Sequence, residues 1–220
     1  MTASKEDYLK AIYEQGGMEN YVSNKQIAEK LGVAAASVSE MLARLQQDGL
    51  IEYRAYHGSR LTPAGLRACI HVVRSHRLWE VFLMRCLGYT WREAHEDAHL
   101  LEHIAPERMV DRLDTFLGFP QNCPHGAQIP PKGGTMEEAP ALDTLNGLEP
   151  GRTAVVRRIA EDGKLLDYLA GSGLRVGGEV CVVARDEYEG PVTFTQDGRS
   201  ITISSKAASQ VYVDGNKLEV

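Results

Sequence analysis

The sequence predicts a mainly α-helical protein that ends in a small β domain. Three observations carry that expectation. Apolar residues recur at helical spacing between glycine stops through residues 4–119. The N-terminal part reads as helix, short helix, tight turn, helix and hairpin. Residues 148–220 alternate in short runs with the two-residue period of half-buried strands. The expected domains are 1–62, 63–147 and 148–220.

The first helix is "SKEDYLKAIYEQGG", with Ser4 as N-cap, apolar Tyr8, Leu9, Ile12 and Tyr13, and Gly16-Gly17 as its stop. "SNKQIAEKLGV" is a short amphipathic helix capped by Ser23 and ended by Gly32. "SVSEMLARLQQDGL" follows as a second helix, ended by Gly49. It turns Val38, Leu42 and Leu45 inward and leaves Ser37, Ser39, Glu40, Ala43 and Arg44 outside. "LIEYRAYHGSRLT" is a hairpin around His57-Gly58-Ser59. This order is that of a winged helix-turn-helix, in which the second helix enters the major groove. Ser37, Ser39, Glu40 and Arg44 are then the groove-facing candidates, and Arg54 and Arg60 on the wing are candidates for phosphates. An ordinary three-helix packing unit is the alternative.

The next segment is helical over 63–119, with Pro63 near the start of a long helix. Trp79, Phe82, Leu83 and Met84 offer more apolar surface than a lone helix leaves in water, which points to a dimer interface. "TWREAHEDAHLLEHI" opens with a Thr90/Glu93 capping box, and "APERMVDRLDTFLG" is one more helix closed by Gly118. Residues 120–147 hold five prolines and repeated glycines and read as a linker. The runs "TAVVRRIA", "EVCVVARD", "PVTFTQ", "SITISS" and "QVYVDG" suggest a small five-stranded barrel.

Net charge −6 argues against nucleic acid until it is divided along the chain. Residues 1–77 hold ten Lys/Arg against eight Asp/Glu, whereas 78–150 hold five against twelve. A mildly basic front is compatible with DNA, and an acidic middle suits a cation. Four dispersed cysteines with no C-x-x-C pair fit free thiols in a reducing compartment. Neither a secretory signal nor a membrane-length apolar run is present, so a cytoplasmic protein with no membrane partner is expected.

Five of the seven histidines fall between 76 and 125. In "EAHEDAHLLEHI", His95, His99, Glu102 and His103 share one helix face at about 100° per residue. His95 and His103 nevertheless stand about 12 Å apart along the axis at ~1.5 Å per residue, too far to share one ion. His99, Glu102 and His103 fall within about 6 Å of rise and suit one ion, with His95 directed to a second place. His76 and Glu80 sit at i, i+4 on the preceding helix, and Cys123 and His125 add a thiolate and an imidazole. Asp7 competes between two roles, metal ligation and a capping-box partner behind Ser4. "HLLEH" also matches the inverted zinc-peptidase pattern H-x-x-E-H, but a hydrolase needs an open metal position and a substrate cleft, and a winged helix has no purpose in it.

The motif order resembles the diphtheria-toxin-repressor family of metal-dependent transcriptional repressors. "NKQIAEKLGVAAASVSEMLARL", "SHRLWEVFLMRCLGYT" and "DRLDTFLGFPQNCPHG" resemble in particular its manganese-responsive three-domain branch from streptococci. The resemblance implies a helical metal-binding and dimerisation domain and an SH3-like, FeoA-like terminal barrel. It implies a homodimeric repressor of metal uptake on palindromic operator DNA, with two ions per subunit and no small organic substrate. By position it implies a first site of Asp7, His99, Glu102 and His103, and a second of Glu80, Cys123, His125 and Glu161. Asp162 is the neighbouring candidate, and His76 and His95 match ligands of other branches. Asp7 stands where iron-responsive members have methionine, which favours Mn(II) over Fe(II). His99 stands where the family has cysteine or glutamate, so Zn(II) also fits. A winged-helix protein with purely structural zinc is the alternative.

Overall fold

The computed structural model describes residues 1–134, 142–186 and 188–215. Its contacts form two compact units: Met1–His76 with Leu101–Glu107 and a stretch from Pro130, and Arg77–Leu100 with Arg108–Ile129 and the C-terminal stretch.

In the first unit, α1 (Ala3–Glu14), α2 (Asn24–Leu31) and α3 (Ala35–Gln47) precede a hairpin of β1 (Ile51–Arg54) and β2 (Gly58–Leu61). The N-cap of α1 is Thr2, so Ser4 lies inside the helix and the expected Ser4/Asp7 capping box does not form. In α2 the box is present: the Ser23 hydroxyl accepts from Gln26 N, and Gly32 closes the helix in the left-handed region at φ 65°. α3 starts two residues earlier than its first serine suggests, behind Ala34, which offers no capping side chain. Leu9, Ile12, Ile27, Val38, Leu42, Leu45 and Ile51 form one core, which Cys69 and Val73 of α4 (Pro63–Leu87) complete. Pro63 opens α4, where its missing N–H is no loss.

The hairpin turns through residues 55–57, so Gly58 and Ser59 belong to β2 rather than to the turn. Gly58 has φ 108°, and a Cβ there would stand 2.1 Å from the Val22 carbonyl oxygen. Only glycine lets β2 approach the chain before α2, where Val22 and Ser59 exchange backbone hydrogen bonds of 2.8 and 2.9 Å.

In the second unit, α5 (Trp91–Ile104) begins at the expected box: Thr90 N donates to Glu93 Oε2 at 2.9 Å, and Glu93 N donates to Thr90 Oγ1 at 3.4 Å. α6 (Glu107–Phe116) follows. Trp79 and Leu83 are buried within this chain, and Phe82 packs edge-on against Trp79 and Phe116, so much of the apolar face assigned to a dimer interface is covered internally.

The C-terminal part comprises β3 (Asp143–Thr144), a 3-10 turn (Leu145–Gly147), β4 (Thr153–Ile159), α7 (Gly163–Ser172), β5 (Glu179–Arg185), β6 (Val192–Gln196), β7 (Arg199–Ile203), α8 (Ser205–Ala208) and β8 (Val211–Gly215). The strands pair in the order β3-β8-β4-β5-β6-β7, every pair antiparallel. The expected five-stranded barrel is therefore corrected to a six-stranded sheet that does not close among the described residues. The sheet has no need to close, because helices cover its apolar side: Leu165, Leu166 and Leu169 of α7 and Ala207 and Ala208 of α8 share a core with Val156, Val182, Phe194 and Val213. β3 and Leu145 come from the stretch read as linker, of which residues 135–141 lie outside the described residues. No helix of the described residues is long and apolar enough to cross a membrane.

Candidate metal centres

The first candidate centre joins α1 to the end of α5. Asp7, Glu102 and His103 bring one ligand atom each within 4.8 Å of one another. His103 Nε2 lies 2.9 Å from Asp7 Oδ1 and 3.4 Å from Glu102 Oε1, while its Nδ1 lies 2.7 Å from Glu6 Oε2. Helix spacing explains the α5 side: His103 follows Glu102 directly, and His99 comes one turn earlier in the same helix. Glu102 is fully buried, and its Oε2 is held by Lys10 Nζ at 2.7 Å and by His76 Nδ1 at 2.6 Å. Oε1 is thus the oxygen that faces His103.

This arrangement fits a cation. Three carboxylates converge on one imidazole ring, and a neutral imidazole has a single N–H to offer them. A positive centre at Nε2 reconciles Asp7 and Glu102 with each other, while Nδ1–H remains for Glu6. The capping role considered for Asp7 is excluded by the start of α1, and its carboxylate faces His103 instead.

The second candidate centre lies in the second unit. Glu80, Cys123, His125 and Glu161 bring ligand atoms within 4.8 Å of one another. His125 Nδ1 stands 3.3 Å from Glu80 Oε1, and Cys123 Sγ stands 4.0 Å from both His125 Nδ1 and Glu161 Oε1. The Cys123-Pro124-His125 loop is pinned by backbone. Ile159 N of β4 donates to the His125 carbonyl at 2.9 Å, and a Cβ at Gly126 would meet the Arg157 carbonyl oxygen at 1.9 Å. That close approach brings β4, and Glu161 just beyond it, up to the loop. Burial raises the Cys123 thiol well above its ordinary range, and the Glu80 and Glu161 carboxylates add to the effect. His125 Nε2 is buried with no hydrogen-bond partner among the described residues. A buried acceptor nitrogen, a thiol and two carboxylates are a donor set suited to a divalent ion.

His95 does not join His103. Its Nδ1 lies 3.1 Å from Glu80 Oε1, and its ring centroid lies 6.3 Å from that of His125. His76 faces Glu102 in the first unit. Asp162 is spent elsewhere, its carboxylate accepting from Leu165 N at 3.0 Å as the N-cap of α7. Arg77 Nε approaches Glu161 Oε1 at 3.4 Å while its Nη1 donates to the Gln128 carbonyl at 2.6 Å. Sequence reading missed Glu6 and Lys10. Their only signal was that they flank Asp7 on the same turns of α1.

Of the residues expected to face a DNA groove, Ser37, Ser39, Glu40 and Arg44 are exposed on α3, as is Ala43. Arg44 Nη2 pairs with Glu40 Oε1 at 2.5 Å. On the wing, Glu52 accepts from Tyr21 Oη at 2.6 Å, from Arg54 Nε at 3.1 Å and from Arg60 Nε at 2.9 Å. Both guanidinium groups also lie over the Tyr21 ring, 4.8 and 5.2 Å from its centroid.

The chain is similar to known proteins along most of its length. Residues 1–59 match the iron dependent repressor N-terminal DNA binding domain, 62–131 its metal binding and dimerisation domain, and 144–215 the FeoA domain. The chain is 28% identical to the diphtheria toxin repressor of Corynebacterium efficiens, over 95% of this chain and 94% of that protein. It is 34% identical to the HTH-type transcriptional regulator MntR of Lysinibacillus sphaericus, over 56% of this chain and 88% of that one. A solved manganese-dependent transcriptional repressor in complex with manganese superposes with a TM-score of 0.84 at 37% identity, covering 96% of this chain and 99% of that chain. The repressor ScaR with bound zinc gives 0.82 at 38% identity, covering 96% and 98%. These relatives are repressors and not enzymes, so "HLLEH" is no peptidase signature here; i, i+3 and i+4 are the steps any helix uses to gather ligands around one ion. The chain belongs to the diphtheria toxin repressor/MntR family of metal-dependent transcriptional repressors.

Proposed function

We propose that the protein is a Mn(II)-activated repressor that binds a palindromic operator as a homodimer in the cytoplasm and controls metal-ion uptake. The observation that carries this reading is the meeting of Asp7 on α1 with Glu102 and His103 on α5. α1 packs in the same core as α2 and α3, so whatever holds Asp7 also constrains the helices that carry Ser37, Ser39, Glu40 and Arg44. When bound, the ion supplies the positive charge that lets Asp7 and Glu102 share one imidazole, with His99 as a further donor. Oxygen and nitrogen donors suit Mn(II). Glu80, Cys123, His125 and Glu161 would hold a second ion. Cys123 supports Zn(II) as a second reading, since a thiolate is a softer donor than manganese prefers. Fe(II) is the remaining candidate.

Ser37, Ser39, Glu40 and Arg44 would read the major groove, and Arg54 and Arg60 would contact phosphates. The fixed spacing of two such helices in a dimer matches half-sites about one helical turn apart, or multiples of it. Comparing operator affinity in Mn(II), Fe(II), Zn(II) and chelator at one ionic strength tests the metal assignment. Asp7→Ala should bind operator with chelator-level affinity in any metal while keeping its helical circular dichroism. A normal metal response in that variant would rule out Asp7 as the link.

A further inference from the structure

We propose that Glu6 is a positioning residue for the first metal centre, fixing the tautomer and ring orientation of His103. The inference rests on the reading of His103 as a ligand. Glu6 and Asp7 are consecutive on α1, yet both carboxylates reach the same ring: Glu6 Oε2 is 2.7 Å from Nδ1, and Asp7 Oδ1 is 2.9 Å from Nε2. An imidazole in contact with carboxylates at both nitrogens is oriented at both ends. A neutral imidazole that donates Nδ1–H to Glu6 must leave its lone pair on Nε2, the nitrogen that faces Asp7 and Glu102. Glu6 therefore selects the tautomer that presents Nε2 as a ligand. The Glu6 side chain is 17% exposed and that of His103 11%, so water competes little for this hydrogen bond.

Glu6 also lies in the first turn of α1, where a negative charge favours the helix N-terminus. The two roles separate experimentally. Mn(II) affinity is measured by competition with a chromophoric chelator on the full chain, for the parent, Glu6→Ala, Glu6→Gln and His103→Ala. Unfolding midpoints are recorded in chelator alongside. A positioning role predicts that Glu6→Ala weakens the first Mn(II) site by about 10–100-fold. Glu6→Gln, whose amide oxygen still accepts Nδ1–H, should recover most of that loss. In Zn(II)-loaded protein with 15N-labelled histidine, the His103 Nδ1–H signal should persist in the parent and in Glu6→Gln and exchange rapidly in Glu6→Ala.

If Glu6→Gln is as weak as Glu6→Ala, charge alone is at work and the positioning role is overturned. It is equally overturned if Glu6→Ala binds Mn(II) like the parent while His103→Ala does not. If His103→Ala itself leaves affinity unchanged, His103 is no ligand, and the reading on which the inference rests falls with it.

Discussion

Replacing Lys10 by methionine leaves a fully buried carboxylate without its ammonium. Lys10 Nζ stands 2.7 Å from Glu102 Oε2, with side-chain exposures of 9% and 0%. Breaking a buried pair from one side costs about 3–5 kcal/mol, because the surviving charge stays desolvated. His76 Nδ1 stays within 2.6 Å of the same oxygen, which places the expected loss near the lower end, about 3 kcal/mol. At roughly 2–4 °C per kcal/mol for a chain of this size, the unfolding midpoint in chelator should fall by ~6–12 °C. Lys10→Met/Glu102→Gln removes both charges and keeps an amide for His76, so it should return to within about 1 kcal/mol of the parent. Urea unfolding followed by far-UV circular dichroism, with chelator present throughout, measures all the variants. A single variant within about 0.5 kcal/mol of the parent, or a double variant no more stable than the single, refutes the buried-pair argument.

Three further outcomes follow from the same structure. Glu52 is held down to about 2 by the hydrogen bond from Tyr21, then by those from Arg60 and Arg54, against an ordinary value of 4.5. Its wing contacts should therefore be complete above pH 4.5 and fade only as pH falls toward 2; a carboxyl 13C titration with its midpoint near 4.5 would contradict this. Gly58→Ala should force the wing off Val22, losing about 1–3 kcal/mol of stability and weakening operator binding with helix content intact; an unchanged urea midpoint counts against it. Iodoacetamide should label exposed Cys86 in the folded protein and spare buried Cys69 and Cys123, as peptide mass mapping would reveal.

What the sequence disclosed tracks how local each cause is. α2 is legible because its cap, box and stop, Ser23, Gln26 and Gly32, lie within ten residues of one another. The N-cap of α1 falls at Thr2 and not Ser4 because backbone geometry decides the cap, and both residue types favour that position. α3 begins early because Ala35 and Ala36 favour helix even without a capping side chain. Sheet closure was misread because it depends on what covers the sheet: α7 and α8 do so, and the two residues of β3 are too few to show a period. In the metal centres, His99, Glu102 and His103 announce themselves by helical spacing. Asp7 and Glu161 are brought in from distant elements, so spacing alone could not group them with the other ligands, and resemblance to a family assigned them there. Glu6 and Lys10 required the packed structure, since their significance lies in which atom of His103 or Glu102 each one holds.

An ion held by Asp7, Glu102 and His103 is proposed to control DNA binding. Fluorescence anisotropy of labelled operator, titrated with protein in Mn(II) and in chelator, tests it for the parent and for Asp7→Ala side by side. Tight binding is expected for the parent in Mn(II) alone, with Asp7→Ala weak in both conditions. Operator affinity that is indifferent to chelation in the parent would contradict it.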